Sequence, residues 1–277
     1  MPLEARQHVR KMRGGAQSHL IQADDGQCYV VKFQNNPQHR RILVNELIAS
    51  VFLRYLQISA PEIAIINISE EFLRANAQVC LELGTRRVAV RPGWHFGSRY
   101  PAQPEQIAIY DFLPDGFLQQ VTNLYEFAGA LAFDKWMANA NGRQAVFFRA
   151  HVAGSPAGTT QEEAAGRFIA LMIDQGFVLN GPHWDFPDSP LQGLYHRPLV
   201  YQPIKGWDDF QPWLEQILHF PEEVMDEAYK RVPREWLEGE EEDLEAVLEQ
   251  LVHRRRRVPD LISDCRRAKP SLFPNWG

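Results

Sequence analysis

The sequence has few cysteines and no long apolar run, and both shortages narrow the class of protein. Only three cysteines, Cys28, Cys80 and Cys265, occur among 277 residues, and they are too widely spaced for a zinc site. Residues 1–13 are basic but have no apolar centre, so we expect no secretory signal there. An odd cysteine count without such a signal is typical of a reducing compartment. No segment approaches the ~20 apolar residues of a membrane helix. We therefore expect a cytoplasmic protein with no membrane partner.

Excess positive charge is also missing. The formal net charge is -6, which argues against direct binding along a nucleic-acid backbone. The strongest basic run, at 254–257, ends a predicted helix over 235–257 that begins acidic, so these arginines suit the helix dipole. Apolar residues make up 45% of the chain and charged residues 23%, as in ordinary globular proteins. The length allows one large domain or two lobes that share a cleft.

Residues 133–174 hold the most informative pattern in the chain. A predicted helix over 124–137 leads into a polar loop, and two apolar runs, 145–148 and 168–173, then predict a two-stranded ribbon. Asp174 follows the second run directly. A carboxylate at the end of a rigid strand, close to a polar loop, suits metal-assisted phosphoryl transfer. A buried hairpin with a turn aspartate is the alternative, and this stretch alone does not separate the two.

A glycine-containing segment precedes the first predicted hairpin. Gly14 and Gly15 allow backbone amides to approach a phosphate group closely, and Ser18 adds a hydroxyl donor. The strands that follow are predicted over 19–23 and 28–33, because an Asp-Gly pair between apolar runs is a strong hairpin signal. A plain turn is the alternative for the two glycines.

Lys32 and Glu46 form the next candidate pair. Lys32 lies inside the apolar frame of the second strand. An amphipathic helix is predicted over 45–58, with Glu46 at its start. Kinase-like folds use a strand lysine and a helix glutamate to hold nucleotide phosphates. The alternatives are a lysine that faces solvent and an ordinary acidic residue at a helix N-terminus.

The remaining patterns outline two regions. Further strands are predicted at 62–68, 79–83 and 87–90. Glycine and proline at 91–101 predict an irregular crossing between lobes or a loop near the cleft. From residue 106 onward the pattern becomes helical, with additional helices predicted at 207–220 and 222–229.

With these residues in place, the chain resembles the HipA-like kinases, a bacterial branch of the phosphoinositide-kinase-like superfamily. The resemblance spans roughly residues 12–180. Its segments, in chain order, are Arg13-Gly14-Gly15-Ala16-Gln17-Ser18, Val31-Lys32-Phe33, Asn45-Glu46, residues 134–143 and Ile173-Asp174-Gln175-Gly176-Phe177. The chain has no room for the extra N-terminal subdomain of the longer toxin-type proteins, so it is similar to the short, stand-alone form.

The resemblance implies both a fold and a ligand set. It implies an α+β, two-lobed, protein-kinase-like fold in one domain, 1–277. The β-rich N-lobe covers 1–100, and the mainly helical C-lobe covers 101–277 and contains a catalytic-loop hairpin at 139–177. ATP and Mg²⁺ are the implied cofactors. The implied nucleotide-binding residues are Gly14, Gly15, Gln17, Ser18, Lys32 and Glu46, and the implied metal ligands are Asp174 and Gln144.

The chain departs from the family at the catalytic position. The family loop reads Asn-x-Asp-x-x-x-x-Asn, but Asn141 stands here in place of the aspartate. An amide cannot accept a proton as a carboxylate does, and loss of general-base help costs about 10²–10⁴-fold in rate. Asp134 either substitutes for that acid or orients the loop from behind. The candidate catalytic set is thus Asn141, Asp134 and Asp174.

Two functions from different classes follow from these residues. The first is an ATP- and magnesium-dependent phosphotransferase, acting on a serine or threonine hydroxyl of an unidentified protein, with weak activity because of Asn141. The second is a nucleotide-binding pseudokinase that regulates a partner. A third reading, a purely structural domain, requires Lys32 and Asp174 to lie far apart.

Overall fold

A computed structural model describes residues 1–101, 103–104, 107–149 and 167–277. The N-terminal part is rich in β-strands, and the C-terminal part is mainly helical. The described strands are β1 (Leu3–Lys11), β2 (His19–Ala23), β3 (Cys28–Lys32), β4 (Ile63–Ile68), β5 (Cys80–Leu83), β6 (Arg86–Ala89), β7 (Gly93–Arg99), β8 (Ile109–Tyr110), β9 (Gln144–Arg149) and β10 (Phe168–Ile173). The described α-helices are α1 (Arg41–Tyr55), α2 (Glu70–Ala75), α3 (Asp115–Leu118), α4 (Glu126–Trp136), α5 (Trp213–Leu218), α6 (Glu222–Arg231), α7 (Arg234–Leu237), α8 (Glu241–Arg254) and α9 (Val258–Ala268). Short 3-10 helices occupy Gly181–His183, Pro198–Tyr201, Trp207–Phe210, Arg255–Arg257 and Pro270–Leu272.

Five N-terminal strands close into a barrel in the order β1-β2-β3-β7-β4. The β2–β3 hairpin forms where the Asp-Gly pair predicts it, with Gly26 at a φ of 77°. Strand β1 is absent from the sequence prediction, although Leu3, Ala5 and Val9 recur at even spacing. It pairs antiparallel with β2 and parallel with β4, and so closes the barrel. Two register shifts interrupt its pairing with β2, and Val9 is exposed, so β1 has no regular alternation of buried and exposed residues.

The prediction of an irregular crossing at 91–101 is wrong. Strand β7 occupies most of that segment and lies between β3 and β4. Glycine serves close packing here, because a methyl group added at Gly97 would come within 2.6 Å of the Ile66 side chain. A glycine inside a strand often allows close packing of a neighbouring group. The sequence prediction instead interpreted the glycines of this segment as the end of regular structure.

The imidazole of His95, on β7, is held neutral inside the barrel. Its Nδ1 accepts a hydrogen bond from the Gln34 amide at 3.0 Å, and its Nε2 donates to the Arg91 carbonyl at 3.0 Å. Protonation of Nδ1 would turn the first contact into two opposed donors. Burial lowers the pKa of His95 to about 4.

We expect this histidine to make the fold acid-sensitive. Between pH 6.5 and pH 4 the unfolded chain binds a proton that the folded chain refuses, so stability is full above that window and falls as the pH falls. From pH 7 to pH 5 the loss is about 2 kcal/mol of unfolding free energy. Urea titrations should show a smaller loss for His95→Gln. The exposed control His253→Gln should retain the full loss, and an equal loss in both variants would contradict the assignment.

Helix α1 joins the barrel to the helical part. It begins at Arg41, four residues before its predicted start, so Glu46 lies in the second turn rather than at the helix end. Almost every residue from Ile42 to Leu53 is buried. Its Phe52 ring stacks on Trp136 of α4 with centroids 5.5 Å apart. Helix α1 is therefore held between the barrel and the helical part, and its position determines that of Glu46.

Two of the helices predicted in the C-terminal part are divided. The one predicted over 207–220 is a 3-10 helix at Trp207–Phe210 and a separate α-helix, α5, because Gln211 is extended. The helix predicted over 235–257 is divided, because Glu238 and Gly239 adopt left-handed conformations with φ of 50° and 93°. Arg254 and Arg257 contact Asp188 at 3.1 and 2.8 Å, so these two members of the basic run have an intramolecular partner. No helix in the described ranges is long and apolar enough to cross a membrane.

The ribbon predicted before Asp174 is present as β9 and β10. These strands are antiparallel and extend a sheet with β8, and their register pairs Gln144 with Ile173. Gln144 therefore lies beside the residue that precedes Asp174. The loop predicted between the two strands, at 154–166, falls outside the described residues.

Candidate active site

Three charged side chains from separate elements meet at the junction of barrel and helices. Lys32, the last residue of β3, donates to Asp174 Oδ1 at 2.5 Å and also to Glu46 Oε1. Lys32 and Glu46 are only 8% and 3% exposed. Lys32 and Asp174 are 142 positions apart in the chain. The purely structural reading, which required them to be distant, is therefore wrong.

Burial and attraction set the charges of this triad. Burial lowers the pKa of Lys32, but attraction to Glu46 and Asp174 outweighs it and raises that pKa above the usual range. Burial raises the pKa of Glu46, and Lys32 offsets this only in part. Burial opposes ionisation of Asp174 as well, but Lys32 outweighs it and lowers the pKa of Asp174. Asp174, the more exposed carboxylate, thus keeps the negative charge that a cation ligand requires.

Asp174 and Gln144 carry side-chain oxygens of the kind that bind a hard cation. Gln144 Nε2 donates to Asp174 Oδ2 at 2.8 Å, so an amide and an ionised carboxylate lie side by side. Magnesium is usually held through one or two protein groups, substrate phosphates and water. The described residues contain no group of three or more His, Cys, Asp or Glu side chains able to hold a metal ion. A metal ion held by Asp174 and Gln144 would need further ligands from a bound molecule or from water.

The turn that carries Asp174 is tied to α1. Asp174 itself has a φ of 59°, a left-handed conformation that aspartate tolerates better than most residues. Buried Asn45, one residue before Glu46, donates through its amide nitrogen to the carbonyls of Gly176, Val178 and Gly181 at 2.8–2.9 Å. The helix that positions Glu46 thus also positions Asp174. Sequence reasoning placed Asn45 only next to the helix acid and missed this anchoring role.

Buried Asp134 supports the catalytic loop from behind. Its Oδ2 accepts from Arg143 Nε at 2.8 Å, while Oδ1 accepts from Asn139 Nδ2 at 2.9 Å and from Arg143 Nη2. Arg143 continues to Gln175, the residue after Asp174. Both carboxylate oxygens of Asp134 are therefore occupied, which favours the orienting role over the catalytic one. The sequence marks Arg143 only as a member of the polar loop. No sequence pattern predicts that it forms a buried ion pair with Asp134.

Asn141 is exposed on the loop that Asp134 holds. Its own Oδ1 accepts from the Gly142 amide at 2.9 Å, and its backbone amide donates to Asn139 Oδ1 at 3.1 Å. The backbone thus presents residue 141 outward while residues 139 and 143 point inward. An aspartate here would be available to a substrate, whereas the amide that is present cannot take a proton.

The predicted phosphate loop joins β1 to β2. His19 pairs with Val31, which places Ser18 alongside Lys32. Gly14 has a φ of 119°, a conformation that favours glycine. The Gln17 side chain donates to the Glu82 carbonyl and accepts from the Glu82 amide, each at 2.7 Å, so it anchors the loop to β5. A phosphate contact by Gly14, Gly15, Gln17 or buried Ser18 stays a prediction.

Three known structures have a fold similar to that of this chain. The Golgi casein kinase is similar over 98% of this chain and 74% of its own, with 10% identity and a TM-score of 0.50. The hydra Fam20 structure with sugar is similar over 96% of this chain and 87% of its own, with 12% identity and a TM-score of 0.51. The Golgi casein kinase with Mn/ADP bound is similar over 97% and 73%, with 9% identity and a TM-score of 0.50. These similarities define a kinase-like fold.

The sequence itself identifies the family of the chain more closely than its fold does. The profile of the HipA-like kinases matches residues 7–146, half of this sequence, and the chain belongs to that family. The match includes the phosphate loop, Lys32, Glu46 and the catalytic loop, and ends before Asp174. No curated protein sequence matches the chain significantly.

Proposed function

We propose that this protein is an ATP- and magnesium-dependent phosphotransferase acting on a protein hydroxyl, with two lobes, 1–100 and 101–277, that meet around the nucleotide. The observation that carries the proposal is the buried Lys32–Glu46–Asp174 triad. A lysine placed between a helix glutamate and a metal-binding aspartate is the phosphate-binding arrangement of protein kinases. The Golgi casein kinase structure with Mn/ADP bound supports the choice of nucleotide and divalent metal.

Each residue then has a defined role. Lys32 binds nucleotide phosphates, and Glu46 holds the ammonium group in place from the buried side. Asp174 and Gln144 would hold magnesium, which when bound neutralises charge on the phosphate oxygens. Lys32 and Asp174 contact each other directly at 2.5 Å, so nucleotide binding exchanges this contact for contacts to phosphate and metal. Gly14, Gly15, Gln17 and Ser18 form the loop over the phosphates.

Asn141 supports a second candidate, a nucleotide-binding pseudokinase that regulates a partner. Its amide stands where the family has the aspartate that accepts the substrate proton. Lys32, Glu46 and Asp174 serve nucleotide binding in either case. Positioning and electrostatic stabilisation supply most of the catalysis in phosphoryl transfer, so a slow reaction survives the loss of a base. For this reason we place the phosphotransferase first.

Magnesium should strengthen ATP binding through Asp174. Ligand binding to the folded state raises the melting temperature by mass action, so the shift produced by ATP should grow when magnesium is added. Asp174→Ala should lose the magnesium-dependent part of that shift. Asp226→Ala, an exposed substitution on α6, is the matched control and should behave as wild type. If Asp174→Ala responds to magnesium as wild type does, Asp174 is only a turn residue.

A further inference from the structure

A second segment runs alongside the catalytic loop. The Gly193 amide donates to the Asn141 carbonyl at 2.9 Å, and the Arg143 amide donates to the Leu194 carbonyl at 3.0 Å. These two backbone hydrogen bonds bracket residue 142 and fix the segment from 193 onward against the loop. Leu194 and Tyr195 are buried, whereas the next residue, His196, is exposed.

The ring of His196 lies directly against Gly142, the residue after Asn141. A methyl group added at Gly142 would come within 2.5 Å of His196 Nε2 and 3.0 Å of its Cδ2. Gly142 does not have a positive φ, so its backbone conformation does not require glycine. Glycine at this position instead leaves the space that the imidazole fills.

The two carboxylates that support the loop and its ribbon are already occupied by other side chains. Asp134 is buried and bound through both oxygens by Arg143 and Asn139. Asp174 is bound by Lys32 and Gln144. His196, by contrast, is exposed, and its ring lies against Gly142 of the loop. Imidazole is the side chain that enzymes use most often as a general base.

We propose that His196 is the general base of this protein and replaces the carboxylate that Asn141 lacks. The proposal rests on the phosphotransferase function proposed above. The substrate hydroxyl oxygen forms a bond to the γ-phosphorus as the bond from that phosphorus to the bridging oxygen breaks. ADP leaves with the bonding electron pair, and His196 takes the hydroxyl proton and returns it to solvent. Asn141 is left to orient the hydroxyl through its amide.

Removal of the imidazole should slow the chemical step alone. We expect His196→Ala to lower kcat for phosphate transfer by about tenfold to a hundredfold, a part of the roughly 10²–10⁴-fold contribution of general-base catalysis, with ATP affinity unchanged. His196→Gln, which keeps polarity but has no basic nitrogen, should fall equally. His219→Ala, an exposed histidine at the end of α5, should keep wild-type activity. Added free imidazole should restore part of the rate to His196→Ala, which a merely structural defect would not allow.

A carboxylate at position 141 should make His196 dispensable. In the double variant Asn141→Asp, His196→Ala we therefore expect transfer to recover to at least the wild-type rate, because either base suffices. Wild-type activity in His196→Ala, or a loss that neither imidazole nor Asn141→Asp relieves, would overturn the assignment of the base while the phosphotransferase function stands. Absence of transfer in wild type and in Asn141→Asp, with ATP still bound, would overturn both.

Discussion

Asp134→Ala is expected to destabilise the fold by about 3–5 kcal/mol, the usual cost of leaving one member of a buried ion pair unpaired. The Asp134 and Arg143 side chains are 0% and 1% exposed, so water cannot compensate for the lost carboxylate. Because a whole domain is stable by only about 5–15 kcal/mol, this change should unfold a visible fraction of the protein at 37 °C. Urea denaturation at neutral pH measures the effect.

A matched control uses another arginine partner. Asp188→Ala removes the acid that contacts Arg254 and Arg257, but the Asp188 side chain is 42% exposed. The Arg254 side chain is buried but also donates to the Lys135 carbonyl at 3.2 Å, and water reaches the Asp188 position, so the loss should be smaller than for Asp134→Ala. Replacing Asp134 and Arg143 together by apolar residues should recover much of the stability, since no buried charge is then left unpaired. Equal effects of Asp134→Ala and Asp188→Ala would contradict the role of Asp134 as the support of the loop.

Asn141→Asp is expected to raise the rate of phosphate transfer by about tenfold to a hundredfold. The gain lies below the full 10²–10⁴ of a general base because His196 already supplies part of that contribution. Nucleotide affinity should change little, since the gain is confined to the chemical step. The new negative charge near bound phosphates could weaken ATP binding slightly. Single-turnover measurements with labelled ATP separate the two effects.

The substitution is nearly isosteric, so folding should tolerate it. Residue 141 is exposed, and its backbone contacts do not depend on the amide nitrogen. Robust wild-type transfer that Asn141→Asp leaves unchanged and Asp134→Asn abolishes would move the base to Asp134. In that case the contacts from Arg143 and Asn139 would have to open during the reaction.

The residues of the charged triad could be found from sequence because each lies in an element with a clear period. Lys32 interrupts an apolar strand, and Asp174 follows a second apolar run. Glu46 lies on a helix that was predicted to be amphipathic but is buried along most of its length. Their order along the chain then suggested one site. Gln144 was a candidate only through the resemblance to the family, and the register that places it beside Ile173 is seen only in the structure.

The contacts that support the site could not be found in this way. These contacts join residues that are distant in sequence: Asn45 with Gly176, Arg143 with Gln175, and His196 with Gly142. The spacing of apolar residues within one helix or strand does not predict contacts of this kind. The sequence predicted several N-terminal strands but no barrel, because β1 and β4 pair in parallel across more than fifty residues. The strand that contains Gly97 was predicted to be irregular, because glycine occurs both in turns and at positions of close packing within strands.

Transfer of labelled phosphate from ATP, to the protein itself and to a generic protein, is the measurement that tests the central claim most directly. We expect slow but measurable magnesium-dependent transfer by the wild-type chain. Lys32→Met should abolish it, because the phosphates lose the ammonium group that Glu46 holds in place. Transfer should rise in Asn141→Asp. If neither wild type nor Asn141→Asp transfers phosphate while ATP still binds, the protein is a pseudokinase. If Lys32→Met transfers phosphate as wild type does, the triad is not the nucleotide site.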